Sequence, residues 1–188
     1  MVKLLAIINH SQIQQFTNSL LKQMRRDRSL RTEAIVLRRS DFGEADRLLT
    51  LYTREAGKLR AIAKGARKPK SRKTGHIELF MRSDFLIASG RNLDIVTQAE
   101  LVEPHRNLAM DLRRMTYASY SAELLNNFTP DEEKHSGLYQ LMSNALGWFD
   151  TSDNLMLAAR YFELRLLCLL YTSPSPRDLS TSRMPSSA

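Results

Sequence analysis

The sequence predicts an α+β protein: a small closed barrel of five short strands, followed by an all-helical part. Residues 31–103 break into β-rich runs separated by Gly-containing turns. At Pro104 the texture switches, and apolar residues then recur every three or four positions. Apolar residues make up 43% of the 188-residue chain, enough for a core, which excludes wholesale disorder.

Residues 1–30 read as an extension ahead of the barrel. Leu4 to Ile8 is too short an apolar run for a secretory signal, and no small-residue cleavage site follows it. Ile13, Phe16, Leu20, Leu21 and Met24 are spaced for a weak amphipathic helix ending in Arg25, Arg26 and Arg28. Two other readings of this stretch are a transit peptide and a start codon assigned too far upstream.

The barrel strands follow in order. Thr32 to Arg39 is rich in β-branched and apolar residues and is expected to stop at the turn-like Ser40-Asp41-Phe42-Gly43. Asp46 to Thr53 alternates, with Leu49 and Leu51 against Leu48, Thr50 and Tyr52. Gly57 to Gly65 alternates more cleanly, with Leu59, Ala61 and Ala63 against Lys58, Arg60, Ile62 and Lys64. A loop from Ala66 to Gly75 contains Pro69 and five basic residues. Ile77 to Ala88 and Asn92 to Val102 supply the last two runs, divided at Ser89-Gly90-Arg91-Asn92.

Residues 104–170 predict three helices. Asn107 to Phe128 carries Leu108, Leu112, Met115, Ser119, Ala122 and Leu125 at helical spacing, until Thr129-Pro130-Asp131 breaks it. Gly137 to Phe149 is the second, and Asp131-Glu132-Glu133, after Pro130, is expected in the first turn of a helix, where acids complement the dipole, in preference to a metal or acid–base role. Asp153 to Leu170 is the third, capped by Ser152 or Asp153. Residues 171–188 are rich in Ser, Pro and Thr without periodicity and are expected to be disordered. This string resembles a translated sequencing-adapter artefact, so the natural protein is expected to continue beyond Leu170, leaving the third helix with exposed apolar surface.

Charge separates the two parts. The net charge is +8. Residues 31–103 carry fifteen basic and ten acidic side chains, and residues 104–170 carry six and eight. From Arg54 to Lys73, nine basic residues face one acid, Glu55. Such a run favours a polyanion as partner, nucleic acid first. The candidate phosphate contacts are Arg54, Lys58, Arg60, Lys64, Arg67, Lys68, Lys70, Arg72, Lys73 and, in the last turn, Arg91. A loop so charged repels itself and is expected to be mobile until an anion neutralises it. Phe42, Tyr52, Phe80 and Phe85 are either stacking platforms or barrel core, and core is the preferred reading for all four. Arg106, Arg113 and Arg114 are candidates for capturing an acidic peptide tail, or are simply solvated.

Enzyme motifs are lacking. Lys73-Thr74 has no glycine ahead of it to build a phosphate loop, and neither Gly-x-Ser-x-Gly nor His-Glu-x-x-His occurs. The four histidines have no ligand spacing, and Cys168 is the only cysteine, which excludes an internal disulfide and an all-cysteine zinc site. No catalytic or metal-binding residue is assigned.

Three ordered blocks carry a family resemblance. Arg31-Thr-Glu-Ala-Ile-Val-Leu-Arg-Arg-Ser-Asp-Phe-Gly-Glu-Ala-Asp-Arg-Leu-Leu-Thr-Leu-Tyr-Thr53 resembles the opening of the bacterial RecO family of recombination mediators. Gly57 to Arg72 resembles its next strand and basic loop, and Gly90 to Val102 its last barrel strand. Ala118 to Leu125 and Phe162 to Leu167 are similar to its helical region. The resemblance implies an N-terminal OB-fold over 31–103 and an incomplete helical domain over 104–170. It implies binding and annealing of single- and double-stranded DNA, without catalysis. The implied partners are the acidic tail of the single-strand-binding protein, RecR and, indirectly, RecA, in the bacterial cytoplasm at the nucleoid, with no membrane. The family's four-cysteine zinc module would lie beyond Leu170, so no cofactor is expected here. The alternatives are an RNA-binding barrel of translation and a non-catalytic scaffold whose basic face serves solubility.

Overall fold

The computed structural model describes residues 29–171. The helix expected at Ile13–Met24 and the Ser/Pro-rich tail lie outside the described residues.

Five strands close into a barrel in the order β1-β2-β3-β5-β4. They are β1 (Leu30–Phe42), β2 (Asp46–Thr53), β3 (Gly57–Ala63), β4 (Arg82–Ala88) and β5 (Asp94–Glu103). Neighbours pair antiparallel except β3 with β5, which run parallel through Ala61–Asp94 and Ile62–Ile95. With helices following it, this is the OB-type barrel and helical domain that the sequence predicts.

Most strand limits lie within two residues of the sequence reading, and two shift by more. β1 continues to Phe42, because Ser40 to Phe42 pair with Asp46 to Leu48 and only 43–45 turn. β4 begins at Arg82 rather than Ile77. Phe80 sits at φ 62, a left-handed conformation that interrupts any strand, and its N–H donates to the Val36 carbonyl.

The inward side chains are those the alternation marks: Leu49 and Leu51 from β2, and Leu59, Ala61 and Ala63 from β3. Phe85, Ile87 and Val96 complete this core. In β1 the unbroken run Ala34-Ile-Val-Leu37 is buried on both faces, as a short continuous apolar run suggests. Ala34 and Val36 point into the barrel, whereas Ile35 and Leu37, with Tyr52 and Phe80, join the helical core.

The helices are α1 (Arg106–Met110), α2 (Leu112–Phe128), α3 (Ser136–Thr151) and α4 (Leu155–Tyr171). The first expected helix is split at Asp111. Its carboxylate accepts the N–H groups of Arg113 and Arg114, so a short acid that competes for backbone donors starts a new helix there. The cap of α4 is Asn154, whose side chain accepts the Leu157 N–H, and not Ser152 or Asp153. Asp131 to Glu133 also lie outside the first turn of α3, which begins at Ser136. They form a loop docked on the barrel: the Glu132 N–H donates to the Lys58 carbonyl at 2.7 Å, and Lys134 pairs with Glu55 at 2.7 Å.

Further ties join the two parts. Arg82 on β4 bridges Glu33 and Glu103 at 2.9 and 2.8 Å, and Tyr139 on α3 donates to the same Glu33 at 2.8 Å. The barrel is therefore held to the helices at both the α2–α3 loop and α3. Among the described residues no helix is long and apolar enough to cross a membrane.

Candidate nucleic-acid interface

The run from Arg54 to Lys73 resolves into side chains with different surroundings. β3 carries Lys58 and Arg60 outward, as alternation requires, but its first residues lie under the helical domain. The Lys58 ammonium donates to the carbonyls of Asn126 and Thr129 at 2.8 and 2.7 Å and pairs with Asp131 at 3.1 Å. All three of its protons are used, and the residue is only 8% exposed. Lys58 is therefore corrected from a phosphate contact to a cap on the C-terminal end of α2, where a cation meets unpaired carbonyls.

Arg54 is exposed in the β2–β3 turn, at the docked end of β3. The seven residues of β3 separate it from Lys64 by roughly 20 Å. Lys73 is half-buried. Its ammonium donates to the Val96 carbonyl at 3.1 Å, and burial pushes it below the usual lysine range, with Asp46 opposing. Arg67 braces the β1–β2 turn: its guanidinium donates to the Gly43 carbonyl at 3.3 Å and lies 3.4 Å from Asp41.

Arg60, Lys64, Lys68, Lys70 and Arg72 remain as exposed cations, with no carboxylate partner among the described residues. Four of them stand on the β3–β4 connection. That segment folds as consecutive turns around the buried Ala66, whose carbonyl accepts from Thr74, and includes a 3-10 turn at Thr74–His76. Arg91 is exposed in the β4–β5 turn.

The connection walls a cleft of about 910 Å³. Lys64, Arg72 and Lys73 line one side, and β1, β4 and β5 supply Arg31, Asp84, Leu86, Gln98 and Glu100 on the other. Arg31 is tied to Asp84 at 2.8 Å and Glu100 adds a second carboxylate, so the far wall is net negative and the cations without a carboxylate partner belong to the loop. Of the four candidate rings, Tyr52, Phe80 and Phe85 are core, with exposures of 2% or less, while Phe42 is 44% exposed.

Sequence comparison decides the family. A model described as "Recombination protein O N terminal" matches residues 24–105, and one described as "Recombination protein O C terminal" matches residues 109–170. The chain belongs to the RecO family. A protein named DNA repair protein RecO from Pelotomaculum thermopropionicum is 46% identical over 144 residues, covering 77% of this chain and 56% of the relative. One so named from Roseiflexus is 42% identical over 149 residues, covering 79% and 52%, and one from Desulforudis audaxviator is 43% identical over 143, covering 76% and 57%. The chain thus spans somewhat more than half the length of these curated relatives.

The residues that sequence reasoning assigned to an acidic partner have different surroundings. Arg114 is not available for an acidic peptide: its guanidinium donates to the Phe149 and Ser152 carbonyls at 2.6 and 2.9 Å and caps the end of α3. Arg106 and Arg113 are exposed. A groove of about 450 Å³ between β1 and α2, floored by Leu37, Leu79, Phe80 and Ala122 and edged by Arg38 and Arg39, escaped the sequence reading. Its signal was Arg38-Arg39 directly after an apolar run. The RecO zinc module does not fit this chain, whose single cysteine, Cys168, is exposed on α4. Among the described residues no cluster of His, Cys, Asp or Glu could hold a metal ion.

Proposed function

We propose that this chain is a non-catalytic recombination mediator that binds single- and double-stranded DNA through the β3–β4 connection and promotes annealing of complementary strands. One observation carries the reading: Lys64, Lys68, Lys70 and Arg72 project from one short connection beside a cleft, without carboxylate partners among the described residues. Such cations release counterions when phosphates replace solvent. With three of the four barrel rings buried, backbone contact outweighs base readout, which suits annealing of any sequence. In the cell, the proposed partners are RecR and the acidic tail of the single-strand-binding protein, with RecA loading onto coated single strands as the outcome.

The test is fluorescence-anisotropy titration of the whole chain with labelled single-stranded DNA across a salt series, with an RNA of the same sequence as competitor. Binding that weakens steeply with salt supports the reading and leads to an annealing assay. A folded sample that fails to bind at low salt points to a scaffold. A clear preference for RNA moves the function to the 2′-hydroxyl class of barrels.

A further inference from the structure

The β1–β2 turn and the basic connection form one braced unit. The Arg67 N–H donates to the Ala45 carbonyl at 2.9 Å, its guanidinium reaches Gly43 and Asp41, and the Gly65 N–H donates to Asp46 at 2.8 Å. Asp41 and Gly43 flank Phe42, so the residues on both sides of the ring are held by the loop that carries Lys64 and Lys68. Phe42 ends β1 opposite Asp46 and is the one exposed ring among the barrel's four. Core packing does not explain it, since both hydrophobic clusters close without it. Glu44 places a carboxylate at the same tip, so phosphates are repelled there while an uncharged base is not.

We infer that Phe42 is a stacking platform for an unpaired nucleobase, set beside the phosphate track of Lys64 and Lys68. The inference rests on the DNA-binding reading and sharpens it: the chain holds phosphates of any strand but adds a contact that only an unpaired base can make. A base in a duplex is already stacked and offers the ring no face.

The experiment compares oligodeoxythymidine with an abasic deoxyribose-phosphate oligomer of equal length, for the native chain, Phe42→Ala and Phe42→Tyr, across salt. The native chain and Phe42→Tyr are expected to favour the base-bearing strand by about tenfold. Phe42→Ala is expected to lose that preference with its salt slope and its duplex affinity unchanged. If the native chain binds neither oligomer at low salt, the DNA-binding reading fails, and this inference with it. If the native chain binds both with a steep salt slope and Phe42→Ala keeps the same ratio, the platform alone is overturned. Circular dichroism showing a folded Phe42→Ala variant excludes misfolding as the cause of a lost preference.

Discussion

Lys58 on β3 donates to the Thr129 carbonyl at 2.7 Å, across 71 positions of sequence. The same ammonium holds Asn126 and Asp131, so one side chain closes the end of α2 and fixes the α2–α3 loop to the barrel. A lysine inside a strongly basic run is thus a structural pin.

Lys58→Ala leaves two carbonyls and a carboxylate without their cation. The expected loss is about 3 kcal/mol of stability, read as a lower urea midpoint with an unchanged m-value. DNA affinity in the folded variant should keep its salt slope. A flattened slope would return Lys58 to the phosphate track.

The opposite pattern is expected at the exposed positions. Lys64→Ala combined with Lys68→Ala and Arg72→Ala should leave stability within about 0.5 kcal/mol, since these side chains are exposed and have no carboxylate partner among the described residues. The slope of log affinity against log salt should fall by about 2 on single strands, at roughly 0.7 per phosphate released. Arg67 is left in place, because its removal would also free the β1–β2 turn. An unchanged slope would sink the assignment of this loop.

These two variants mark what the sequence could and could not reveal. Alternation along β3 separated Leu59, Ala61 and Ala63 from Lys58 and Arg60, and the two sets lie on opposite faces, while Lys64, read as part of the strand, stands beyond its end at Ala63. It carried no information on what covers that face, because Thr129 and Asp131 arrive from a distant loop. Helix ends failed for a related reason. Asp111 could be read as one more surface acid within a long helix, yet its backbone is extended at φ −117 and ψ 113, and its side chain caps the next helix. Arg114 was legible as a cation and not as a cap, since the carbonyls it holds belong to another helix. Phe42 was counted with three core rings; only the closed barrel separates it from them.

Two glycines test the docking of the loop. Gly57 and Gly43 have similar left-handed backbones, φ +68 and +59, so an alanine at either is strained by about 1–2 kcal/mol. A Cβ at Gly43 meets nothing within 4 Å, whereas at Gly57 it would stand 1.9 Å from the Glu133 carbonyl oxygen. Gly57→Ala must push the loop off β3 and should cost about 4 kcal/mol or more, against about 1 for Gly43→Ala. Thermal unfolding of the two variants reads the difference, and equal losses would show that the loop contact carries no weight.

The junction between β5 and α1 should respond to pH through His105. Its backbone is left-handed at φ 43, and its buried side chain leaves Nε2 without a hydrogen-bond partner among the described residues. Burial pushes the imidazole below its ordinary 6.5, the carboxylates of Glu103 and Asp150 oppose this, and Arg82 adds to it. The folded state therefore favours neutral His105, while the unfolded chain takes up a proton near 6.5. Stability is complete above about pH 6.5 and declines as pH falls below it, toward the folded value. Urea midpoints measured from about pH 7.5 down to about pH 5.5 should fall for the native chain, in a window above most carboxylate titration. Asn tolerates the left-handed backbone and does not titrate, so His105→Asn should give midpoints that stay level across the same window. If both proteins decline in parallel, the sensitivity belongs to another group, and the buried imidazole contributes nothing to it.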